Sequence, residues 1–187
     1  MSAFLVALSA VALAEMGDRT QFLALVLAAR YRKPWPIIAG IVVATLFNHL
    51  LAGAAGIWLA SVLTERLLAA IVAVGLIAMA GWTLVPDEAV EGIKVSDRGA
   101  FLATLMLFFL AEIGDKTQIA TATLAAAYKD LIAVVAGSTL GMLVADVPVV
   151  FLGDAFAARL PMKTIRLAAA ALFAFIGILF AVKAIMG

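Results

Sequence analysis

The stretch Glu15-Met16-Gly17-Asp18-Arg19-Thr20-Gln21 sets two carboxylates, a guanidinium and an amide inside an apolar run. It recurs as Glu112-Ile113-Gly114-Asp115-Lys116-Thr117-Gln118, a shift of 97 residues. The same shift carries Gly40 onto Gly137, Gly56 onto Gly153 and His49 onto Asp146. An alanine-rich chain matches its own alanines by chance, but not a run of charged and polar residues. The chain is therefore a duplicated unit.

Outward from the motif the chain is apolar. Of 187 residues, 66% are hydrophobic and 13% charged, and the mean hydropathy is +1.19. A water-facing surface needs more polar residues than that, so the expected solvent is a lipid bilayer. Spanning helices need about 20 apolar residues, and the pattern gives six, at roughly 2–29, 36–60, 67–85, 99–128, 131–153 and 165–186. The expected fold is all-α: a polytopic membrane protein of six transmembrane helices. The boundary between the halves falls in the most polar connection, giving 1–86, a link at 87–98, and 99–187. The N-terminal run ending in Ala12-Leu13-Ala14 looks like a signal peptide. It lacks a basic start, and its following motif recurs internally, so a retained helix is expected.

Three spans per copy is an odd number, so the second copy enters from the opposite side. This is the inverted-repeat plan of many secondary transporters. The connections after spans one, three and five hold eight basic residues, from Arg30 to Arg166, and the other side holds Arg66, Lys129 and Lys183. Both termini are therefore expected to be non-cytoplasmic.

The acids decide the chemistry. In an unbroken helix Glu15 and Asp18, or Glu112 and Asp115, share a face three residues apart. Gln21 and Gln118 add amide oxygens, whereas Thr20 and Thr117 lie on another face of an unbroken helix. Gly17 and Gly114 either permit the two helices to approach closely or break each helix to expose backbone carbonyls. Asp146 sits in span five, and His49 is its repeat mate. A charge at the centre of a lone spanning helix costs about 3 kcal/mol on the mildest scale, so the five acids would cost on the order of 15 kcal/mol against lipid. Arg19 and Lys116 offset two of those five charges. A divalent cation with a proton or two would bring the remainder close to neutral. With no cysteine and one histidine, oxygen ligands point to a hard cation such as Ca²⁺, Mn²⁺ or Mg²⁺. The expected metal ligands are Glu15, Asp18, Gln21, Glu112, Asp115 and Gln118. Asp146 is the expected proton carrier with His49 second, and Arg19 and Lys116 serve as tethered counter-charges. Structural salt bridges between the halves are the bland alternative.

The pattern E-x-G-D-[KR]-[TS], once per half, resembles the GDT family of cation/proton exchangers. It is met at Glu15, Gly17, Asp18, Arg19 and Thr20, and again at Glu112, Gly114, Asp115, Lys116 and Thr117. The resemblance covers essentially the whole chain and implies Ca²⁺ or Mn²⁺ transport against protons, with no enzyme activity and no cofactor beyond the transported ion. Eukaryotic members reside in the Golgi, and bacterial members are associated with manganese export. A compact chain fits a bacterial plasma (inner) membrane and Mn²⁺ efflux, with Ca²⁺/H⁺ exchange next. Export of small organic cations such as basic amino acids, or a membrane scaffold, would be different classes. Nucleic acid is not an expected partner, and an oligomer is compatible with the sequence.

Overall fold

The computed structural model describes residues 2–85, 99–153 and 161–186. Among these there are eight α-helices and no strand. They are α1 (Ala3–Glu15), α2 (Arg19–Tyr31), α3 (Pro34–Val62), α4 (Glu65–Thr83), α5 (Ala100–Glu112), α6 (Lys116–Tyr128), α7 (Leu131–Leu152) and α8 (Met162–Met186). The link expected at 87–98 and the basic residue Arg159 lie outside the described residues.

Two expectations are corrected by these bounds. The runs 2–29 and 99–128 are not single helices; each is a pair of 13-residue helices broken at the motif. Gly17 at φ 78° and Gly114 at φ 75° occupy the left-handed region at the breaks, where a side chain would cost about 1–2 kcal/mol. The second correction follows from the first. Glu15 and Asp18 do not share one helical face: Glu15 ends α1, and Asp18 is the N-cap of α2. Glu112 and Asp115 stand in the same relation to α5 and α6.

The other four helices, α3, α4, α7 and α8, are long and apolar enough to cross a membrane. Each copy's broken pair packs on the other copy's long helix: α1 and α2 on α7, α5 and α6 on α3. Glycines permit these crossings. A Cβ on Gly40 would lie 2.9 Å from the Phe101 carbonyl oxygen, and one on Gly137 would overlap the Phe4 carbonyl. Those contacts are themselves 97 residues apart in both members. The central helices α3 and α7 meet where Thr45 Oγ1 donates to Met142 Sδ at 3.2 Å, and these two are again repeat mates. Outside this core α4 packs against α8.

Polarity is inverted relative to a water-soluble protein. Glu15, Asp18, Asn48, His49, Glu112 and Asp146 are fully buried, while Phe47, Leu51, Val74, Leu110, Ile132 and Ile185 are exposed. Apolar exposure on this scale needs an apolar solvent. The buried polar residues gather where the two breaks meet α3 and α7.

Candidate cation site

Each break is built from its own sequence. Asp18 N–H donates to the Glu15 carbonyl at 3.0 Å, and Asp115 N–H to the Glu112 carbonyl at 3.1 Å. Gly17 N–H donates to Gln21 Oε1 at 3.0 Å, and Gly114 N–H to Gln118 Oε1 at 2.7 Å. The glutamines, expected as ligands, thus present their oxygens to the turns. Gln21 is held at its other end too, donating through Nε2 to the Ala145 carbonyl at 3.0 Å. The break also brings Thr20 round to Glu15, where its hydroxyl donates to Oε2 at 2.6 Å. Thr117 does the same for Glu112 at 3.4 Å. An unbroken helix would have kept these threonines apart from the acids.

The basic residues cross between copies. Arg19 donates to Asp115 Oδ1 at 2.7 Å and to the Ala111 carbonyl at 2.9 Å. Lys116 Nζ lies 3.1 Å from Asp18 Oδ1. Each motif therefore neutralises the aspartate of the other. The positive N-terminal ends of α2 and α6 favour Asp18 and Asp115 further.

Glu15, Asp18 and Asp115 each offer an oxygen, and these oxygens lie within 4.8 Å of one another. Glu112 is not one of that trio but lies within electrostatic reach of Glu15, Asp115, Asp146 and Asp18. Asp146, on α7, acts electrostatically on Glu15, and neither of its carboxylate oxygens has a hydrogen-bond partner. His49, on α3, shares a contact of 3.3 Å between Nδ1 and Thr139 Oγ1, while its Nε2 has no partner. The trio has the donor type and compactness that a hard divalent cation needs.

The family model for the divalent cation/proton antiporter GDT1 matches residues 3–91 and 100–187. The chain belongs to the GDT1 family. It is 49% identical over 174 residues to a Vibrio cholerae protein named "Putative manganese exporter", covering 92% of this chain and 87% of the relative. A GDT1-like protein of Synechocystis is 31% identical over 203 residues, covering 92% of this chain and 93% of that one. No solved structure matches. As a GDT1-family member the chain is a transporter and not an enzyme, integral to a membrane, with a divalent cation and protons as substrates.

One residue of this GDT1 core escaped the sequence reading. Asn48 is fully buried beside His49, and its Nδ2 donates to the Phe109 carbonyl at 3.2 Å. An amide in the middle of a charge-free 29-residue helix is the signal that identifies it, because buried amides in membranes must find partners.

Proposed function

We propose that this protein exports Mn²⁺ in exchange for protons, through a midplane site built on Glu15, Asp18, Glu112 and Asp115. The observation that carries the reading is the reciprocal pairing of Arg19 with Asp115 and Lys116 with Asp18, around an oxygen trio compact enough for one ion. Two positive charges tethered at the site stand in for the two charges of the cargo. When the cation enters, the aspartates exchange a side-chain partner for a metal; when it leaves, the side chains return and the acids are never bare in a low dielectric.

The architecture that suits this chemistry is six crossings, with α1–α2 and α5–α6 each counted as one broken span. Residues 97 apart that touch each other, Thr45 and Met142, support a two-fold relation between inverted copies. Basic residues place the termini outside the cytoplasm of a plasma (inner) membrane. Gln21 and Gln118 keep the breaks in shape. Asp146 carries the coupled proton, supported by its two unpartnered oxygens beside Glu15, with His49 its weaker counterpart. Ca²⁺ is the second cargo, since the same oxygens serve it. A small organic cation is disfavoured by a donor set gathered within 4.8 Å.

The test is flux in proteoliposomes under a pH gradient with Mn²⁺, Ca²⁺ and Mg²⁺ in turn. Asp18→Asn removes a charge from the trio and the partner of Lys116, and is expected to abolish Mn²⁺ flux while the protein remains folded. Wild-type flux in well-folded single variants of all four acids would sink the proposal.

A further inference from the structure

We infer that Asn48 is a neutral oxygen ligand for the transported cation, one that tunes which divalent ion the site accepts. The inference rests on the acidic site proposed above. Its starting point is orientation. α5 stops at Glu112, so its last carbonyls have no partner within the helix. The Phe109 carbonyl is an acceptor only, so the NH₂ end of Asn48 must face it, as the 3.2 Å contact shows. That fixes the amide, and its Oδ1 is left buried with no hydrogen-bond partner. A buried amide oxygen without a donor is costly unless something positive reaches it.

The repeat indicates where Asn48 stands. Its mate 97 residues on is Ala145, whose carbonyl oxygen holds Gln21 of the first motif. Position 145 is thus a contact point for one break, and the repeat makes position 48 the equivalent point for the other, where Asn48 reaches the end of α5 through Phe109. Phe109 lies one turn before Glu112, and Glu112 Oε1 is likewise buried without a partner. His49 follows directly, with a partnerless Nε2. Asn48 Oδ1 thus has no hydrogen-bond donor among the described residues, whereas a cation bound between the breaks gives its lone pair a positive partner. A carbonyl oxygen adds coordination without adding charge, which matters most for ions that demand more ligands.

The alternative is a purely structural tether that ties α3 to the end of α5. Substitution separates the two. Asn48→Ala removes both ends of the amide. Asn48→Asp is isosteric and keeps an oxygen, but an ionised carboxylate cannot donate to Phe109. Purified full-length protein is titrated with Mn²⁺ and with Ca²⁺ by calorimetry, using wild type, both variants and Asp18→Asn. Expected are a loss of about tenfold or more in affinity for Asn48→Ala, a larger loss for Ca²⁺ than for Mn²⁺, and retained or tighter binding in Asn48→Asp. Wild-type affinity in Asn48→Ala, or equal loss in both Asn48 variants, overturns the ligand role while leaving the acidic site standing, provided Asp18→Asn has lost binding. Undiminished binding in Asp18→Asn removes the acidic site itself, and this inference with it.

Discussion

Arg19 and Lys116 occupy equivalent positions yet live in different surroundings. The Arg19 side chain is 36% exposed where it meets Asp115, whereas that of Lys116 is 4% exposed where it meets Asp18. If these side chains compete with the cargo, removing one should tighten cation binding and slow release. Arg19→Ala is therefore expected to lower both KM and kcat for Mn²⁺ flux, the pattern of a lost competitor. A raised KM would show instead that Arg19 only builds the site. Asp146→Asn is expected to bind Mn²⁺ normally and lose pH-gradient-driven flux; an unchanged pH dependence would assign the proton to the motif acids. At this scale the sequence was legible wherever a charge stood in an apolar run, because burying a charge without a purpose is too costly to leave ambiguous. Neutral groups carried less signal. The threonines gained their positions only from the backbone break, which spacing on an ideal helix could not anticipate, and Asn48 was marked by nothing stronger than an amide within the charge-free α3.

The break itself is the element-scale feature. Glycine is common in membrane helices, so Gly17 and Gly114 left a close helix approach and a break both open, and the structure shows the break. Nor did periodicity help: α1, α5 and α7 are apolar around nearly their whole circumference, which leaves no stripe from which to read a face. The unbroken helices α3, α4, α7 and α8 fell close to their expected bounds, because length and hydropathy suffice for a long apolar helix with no interruption. Pro148 lies within α7 without ending it. Replacing the glycines tests the breaks. Gly114→Ala meets no neighbour within 4 Å, so its cost should be the φ strain alone, about 1–2 kcal/mol. Gly56→Ala has an ordinary helical φ, but its Cβ would overlap the Ala122 carbonyl of α6. Backbone cannot swing aside as a side chain can, so a cost of about 1–3 kcal/mol or more is expected. Thermal unfolding in detergent should rank Gly56→Ala as no less damaging than Gly114→Ala; the reverse order would mean that the α3–α6 contact is looser than described.

Across the whole molecule the two copies are not equally closed. A cavity of about 150 Å³ is lined by Gln21, Phe22, Leu25 and Val149 and covered by Met162 and Arg166 from the start of α8. Its counterpart, about 320 Å³, is lined by Gln118, Ile119, Ala122 and Ala52, which are the repeat mates of those four residues. No α4 residue lines that second cavity, although α4 is the mate of α8. The same difference appears at the turns: a Cβ on Gly17 would strike the end of Met162, and one on Gly114 meets nothing within 4 Å. The greater exposure of Arg19 than of Lys116 agrees with it. The Asp115 side is thus the more open and the Asp18 side the more closed, an asymmetry that accords with the exchange reading proposed above. The chain contains no cysteine, so single cysteines report cleanly on water access. In opened membrane fragments, where a polar maleimide reaches both faces, Ala122→Cys should react faster than its mate Leu25→Cys. Adding Met162→Ala should speed labelling at position 25 and leave position 122 unchanged, because only the first cavity has that cover. Equal rates at both positions in the parent protein would mean that the asymmetry does not persist in the membrane. Acceleration at both positions on removing Met162 would mean that its side chain stabilises the closed state of the whole molecule, and not one entrance.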